Sequence, residues 1–152
     1  MADLEPAERR AIAADCLALF NTYLVNADHH LDRFTDVFTE DVVWVRPGGE
    51  MHGHGEMRSF MDAIMQDRLE DNPHGHVTRH MLTTHSVTVE SATRAHGIFY
   101  ALVYRGEEYA GQLPLPMQPP ELVVEYCSSF ACTDQGWLIY RHEAKHIFSR
   151  HA

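Results

Sequence analysis

His80 lies in a run rich in β-branched residues, His76-Val-Thr-Arg-His-Met-Leu-Thr-Thr-His85. An imidazole has an ordinary pKa of about 6.5, so it can take and return a proton at neutral pH. Placed beside a reacting group, such a side chain contributes about 10²–10⁴-fold in rate. Strand alternation puts His80 on one face with Thr78, Leu82 and Thr84, and Arg79, Met81 and Thr83 on the other. The plainer reading is a histidine bonded to a neighbouring strand, or one that only orients a ligand.

Three further residues complete the catalytic candidates. Asp28 could hold the charge of a histidine, or act as a base if burial raised its pKa. As an acid ahead of a helix it is equally a cap, worth about 1 kcal/mol. Tyr23 could donate to a substrate carbonyl or be a core residue with its hydroxyl at a rim. His142 falls on a strand face with Leu138, Tyr140, Ala144 and His146, a mainly apolar surface suited to a pocket wall or to a partner subunit. For substrate binding the candidates are Trp44 and Arg46 on one strand face, Phe60, Met61 and Ile64 on a helical stripe, and Tyr140.

These side chains need elements to hold them. Ile12, Cys16, Leu19, Phe20, Tyr23 and Leu24 recur at helical spacing, with Pro6 suited to a first turn, so a helix is predicted from Pro6 to Asn26. Leu31, Phe34, Val37 and Phe38 predict a shorter second helix capped by Asp28. Val42 to Arg46 reads as a strand closed by Pro47-Gly48-Gly49, followed by a loop through Gly55 and a third helix to about Leu69. The stretch from His76 to Arg105 predicts a long hairpin turning near Ser91 to Thr93. Leu122 to Thr133 and Trp137 to Phe148 predict two more strands around Asp134-Gln135-Gly136.

Composition bounds the rest. The chain has 152 residues, 45% of them hydrophobic, enough for one domain spanning 1–152 and too few for two ordinary ones. Its formal charge of −10 repels polyanions, which argues against nucleic acid and acidic membranes and leaves a small neutral or cationic ligand. No run suits a membrane span and the amino terminus lacks a signal-peptide pattern, so a soluble cytoplasmic protein is expected. Cys16, Cys127 and Cys132 give no disulfide framework and read as core thiols. His52-Gly-His54 and His74-Gly-His76 lack a third ligand at defined spacing, so no metal is expected.

Phe38-Thr-Glu-Asp-Val-Val-Trp44 with Pro47-Gly48-Gly49, then Thr78-Arg-His-Met-Leu82 and Gly136-Trp-Leu-Ile139, resembles the SnoaL-like branch of the nuclear transport factor 2-like superfamily. The likeness runs from about Ala7 to Phe148. It implies an α+β fold, a cone-shaped barrel in which three N-terminal helices pack on a curved, mainly antiparallel mixed sheet around an apolar pocket. Within that superfamily the sequence is most similar to scytalone dehydratases, in which the histidine matching His80 serves dehydration with pocket tyrosines. The family's aspartate falls at Ala27, one place before Asp28, and its second strand histidine falls near Arg105. The resemblance thus implies a cofactor-independent dehydratase or isomerase, a lyase or isomerase acting on a cyclic, polyketide-like or aromatic compound. Its alternative is a non-catalytic assembly subunit like the small subunit of ring-hydroxylating oxygenases. It also implies a homodimer or homotrimer.

Overall fold

The computed structural model describes residues 4–106 and 108–151. Helix α1, Pro6–His29, begins at a capping box in which the Glu5 backbone N–H donates to the Glu8 carboxylate at 2.8 Å. It buries Cys16, Phe20, Tyr23 and Leu24, the apolar positions expected from their spacing. The helix does not stop at Asn26. That side chain is buried and donates to the Arg33 carbonyl at 2.9 Å, tying the last turn of α1 to a 3₁₀ helix, Leu31–Val37. Asp28 is therefore inside α1, and His30 rather than Asp28 caps the second helix.

Strand β1, Phe38–Arg46, starts earlier than its predicted Val42, and the expected loop after Gly48 holds a short strand β2, Gly49–His52. Helix α2 is Gly53–Asp71. Gly53 has φ +74°, and a Cβ there would lie 3.1 Å from the Glu40 carbonyl oxygen, which explains glycine at the turn into α2. The hairpin comprises β3, Val77–Ser91, and β4, Arg94–Gly106; β5, Leu122–Thr133, and β6, Gly136–Ser149, follow. In space the strands run β2-β1-β6-β5-β4-β3, antiparallel except for β1 beside β6. The sheet is mixed and α+β as expected, but it is not a closed barrel: β2 and β3 form its two edges.

Bulges in β3 and β6 set which side chains face inward. In β3, Leu82 pairs with Ala101 and Thr84 with Tyr100, so Thr83 is an extra residue. Thr78, His80 and Leu82 face in as predicted, whereas Thr84 is turned to the outer face and exposed. In β6, Ile139 pairs with Phe130 and Arg141 with Ser129, leaving Tyr140 as the extra residue. An inserted residue breaks period-two alternation and swaps faces beyond it. Ile139 is thus buried on the first half of the strand, and His142 and Ala144 on the second.

Phe20 is central to the core, stacked on Phe99 with ring centroids 3.7 Å apart. Gly97 makes room for that stack, because a Cβ there would come within 2.6 Å of the Phe99 ring. On the opposite side of the sheet Met81, Ile98, Tyr100 and Phe148 remain exposed. Of the thiols only Cys16 is a core residue, its pKa pushed up to about 12 by burial; Cys127 is half-buried and Cys132 exposed. No described helix is long and apolar enough to cross a membrane.

Candidate active site

The end of α1 crosses β3 at His80. Asp28 accepts twice from that residue, from its backbone N–H at 2.8 Å and from its ring Nδ1 at 2.6 Å. A carboxylate can only accept, so Nδ1 carries a proton, and in the neutral ring Nε2 presents a lone pair. The Asp28 side chain is 7% exposed and that of His80 15%, so the pair is shielded from solvent without being sealed. One more helical turn in α1 than the sequence predicted brings the carboxylate to the strand.

His80 lines a cavity of about 140 Å³ between the helices and the sheet. Tyr23, Trp44, Arg46, Phe60, Met61 and Ile64 line it too, so seven of the ten predicted site residues share one chamber, counting His80. Asp28 stands behind His80 and lines an adjoining outer cleft instead. Ala27, Arg68 and Thr78 belong to both spaces and form the neck between them.

Two predicted residues are placed elsewhere. Tyr140, the bulge residue of β6, is not on the cavity wall; Arg94 lies over its ring at 4.8 Å. His142 is fully buried behind the wall, stacked on Tyr126 at 5.3 Å and edge-on to Tyr23 at 4.6 Å. Its Nδ1 shares a 2.8 Å hydrogen bond with the Ser128 hydroxyl. Desolvation lowers its pKa to about 3, so it is neutral at physiological pH. His142 does not reach the chamber and cannot touch a substrate there.

Tyr126 is the residue sequence reasoning missed. It faces Tyr23 across the chamber wall, and burial raises both phenols well above their ordinary range. Their mutual hydrogen bond raises Tyr23 and lowers Tyr126, and the Asp28 charge raises both. Both therefore keep their protons at neutral pH, and because one hydroxyl donates to the other, the pair has one O–H left to offer a substrate. Strand alternation from Val124 offered the available signal, since Val124, Tyr126 and Ser128 share the buried face.

Arg46 packs its guanidinium 4.2 Å from the centroid of Phe60 and 5.1 Å from that of Trp44. Desolvation lowers its pKa, while the nearby hydroxyl groups of Tyr23 and Tyr126 oppose that change. A protonated guanidinium beside two neutral phenols is a donor cluster suited to a substrate oxygen that gains negative charge. The glycine-flanked histidines do not converge: His52 pairs with Glu50 at 3.0 Å, and His54 meets the Phe38 carbonyl at 3.1 Å. Among the described residues no group of three or more His, Cys, Asp or Glu side chains could hold a metal.

An open mixed sheet covered on one side by helices, with a chamber between the layers, is the nuclear transport factor 2-like architecture. Residues 8–143 match the SnoaL-like domain, and the chain belongs to that family. Hexachlorocyclohexane dehydrochlorinase LinA-type3 from Novosphingobium barchaimii LL02 is similar at 16% identity and a TM-score of 0.72, covering 95% of this chain and 92% of its own. A candidate scytalone dehydratase from Novosphingobium aromaticivorans DSM 12444 is similar at 15% identity and a TM-score of 0.73, covering 95% and 89%. A candidate aromatic ring hydroxylase from Novosphingobium aromaticivorans gives 22% identity and a TM-score of 0.64, covering 95% and 93%. No curated protein sequence matches the chain.

Proposed function

We propose that the protein is a lyase or isomerase that moves a proton at carbon through His80, on a small, mostly apolar cyclic or aromatic compound. The observation that carries this reading is the Asp28–His80 pair: a carboxylate 2.6 Å from Nδ1 fixes the tautomer in which Nε2 can act as base at the chamber wall.

Nε2 takes a proton from a carbon next to a substrate carbonyl. The electrons of the broken C–H bond form the enolate, whose oxygen is met by Arg46 and by the free O–H of the Tyr23–Tyr126 pair. The enolate then collapses to the carbonyl. In a dehydration its electrons form a C=C bond, the C–O bond to a β-hydroxyl breaks with its electron pair going to that oxygen, and the imidazolium beside the Asp28 carboxylate supplies the proton that releases it as water. In an isomerisation the same proton goes to another carbon instead. His80 ends as it began, and no further reactant is required. Similarity in fold to a dehydrochlorinase and a candidate dehydratase supports an elimination, which begins with the same C–H cleavage. The noncatalytic assembly role, for which the fold likeness to a candidate ring hydroxylase speaks, does not account for a histidine–carboxylate pair at a chamber wall.

A chamber of about 140 Å³ has room for roughly one six-membered ring, since an apolar protein cavity of about 150 Å³ accepts benzene. Small cyclic ketones in D₂O therefore test the reading: the wild-type protein exchanges the α-proton for deuterium and His80→Gln does not. Equal exchange by the two proteins, or none by the wild type across the set, rejects it.

A further inference from the structure

The chamber has a positively charged wall in a chain of net charge −10. Arg46, Arg68 and Arg105 line it, and among the described residues no aspartate or glutamate does. Arg46 is occupied with the aromatic rings and the tyrosine pair. Arg68 is at the neck, and Arg105 lies just inside it on the chamber wall, directly across from Thr78 in the strand register.

This corner has more donors than acceptors. Arg105 gives one N–H to Glu121, from Nη1 to Oε1 at 2.8 Å, yet its Nε is buried without a partner. The Thr78 hydroxyl, in a residue 7% exposed, is also buried without a partner. Glu121 Oε2 is buried without a partner too, but with the Arg68 guanidinium counted the donors still outnumber it; buried donors left unpaired are costly, so the corner calls for a further acceptor. Two guanidinium groups against one carboxylate, Glu121, leave one positive charge uncompensated. The missing species is therefore a monoanion, which a carboxylate supplies and a phosphate dianion exceeds. The outer cleft beyond the neck contains Asp28 and Asp32, so the positive charge is confined to the neck and chamber.

Position links the corner to the chemistry. Thr78 precedes His80 by two residues on the same face, about 7 Å by strand rise, a span that a single ring bridges. We propose that the substrate is a small monocyclic carboxylic acid, bound as its anion with the carboxylate at the neck on Arg68, Arg105 and Thr78 and the ring beside His80. This rests on the acid–base reading of His80. It also replaces the expectation from net charge alone that the ligand is neutral or cationic.

Benzoate and benzamide share a shape and differ in charge, so their binding measured by calorimetry tests the site. Benzoate should bind the wild-type protein at least about tenfold more tightly than benzamide, the effect of one charge-assisted hydrogen bond. Arg68→Gln should remove that preference while leaving benzamide unchanged, and Arg68→Lys should restore part of it. Equal binding of the two probes, binding of neither, or a preference that survives Arg68→Gln overturns the proposal. His80→Gln separates the two ideas: it should keep the benzoate preference and lose deuterium exchange. Continued exchange in that variant refutes the base without touching the anion site, and a lost preference in the wild type does the reverse.

Discussion

Two strand histidines of this protein have opposite characters. His80 has a carboxylate on Nδ1 and an open chamber at its other side. His142 has a hydroxyl on Nδ1, Tyr126 stacked on it, Tyr23 edge-on, and no exposure at all. The first is equipped to change its protonation state during a reaction. The second is held neutral by desolvation and works as a polar spacer behind Tyr23 and Tyr126. Both are strand histidines, His80 on the edge strand β3 and His142 on the interior strand β6; what equips the first for chemistry is the carboxylate brought by a distant helix.

The comparison is most directly challenged by changing each ring to glutamine. His80→Gln should lower turnover by about 10³-fold with little change in melting temperature, whereas His142→Gln should act mainly on stability. A comparable loss of turnover in both would erase the distinction. Asp28→Asn comes next. An amide can donate as well as accept, so the tautomer is no longer fixed, and turnover should fall about 10²-fold with ligand affinity retained. An unchanged turnover number would mean that the carboxylate is only structural.

A smaller effect sharpens the other half of the contrast. Between about pH 6.5 and pH 3 the unfolded chain binds a proton at His142 that the native protein refuses. The neutral ring's contribution is thus complete above pH 6.5 and is lost as pH falls toward 3. From pH 6.5 to pH 5 the loss should be about 2 kcal/mol, and urea unfolding of His142→Leu/Ser128→Ala should show a shallower pH slope by that amount. Identical slopes would show that the buried ring titrates normally. The smallest effect expected is at Tyr140, where Tyr140→Phe should leave turnover within about twofold, since the ring lies off the chamber wall.

Much of the scaffold was legible because periodicity is a local property. The spacing from Ile12 to Leu24, the Trp44–Arg46 face and the shared face of Thr78, His80 and Leu82 all follow from it. Bulges are not local in that sense. Thr83 and Tyr140 carry no mark of being extra residues, which is why Thr84 and Tyr140 were assigned to the inner face. Asp28 read as a cap because acids often precede helices; only the buried Asn26 contact shows the helix running on. Nothing local marks Arg68 and Arg105 as neighbours, and their convergence with Thr78 depends on a helix end meeting two strands.

The extra residue at Tyr140 puts the stretches of β6 on either side of it out of step. Removing that single residue would shift every later side chain by half a pleat, offering Arg141, Glu143 and Lys145 to the oily interior and ejecting His142 and Ala144. The carboxyl-terminal strand can thus accept many replacements along its length, yet it tolerates no change in the count of residues between Ile139 and Arg141.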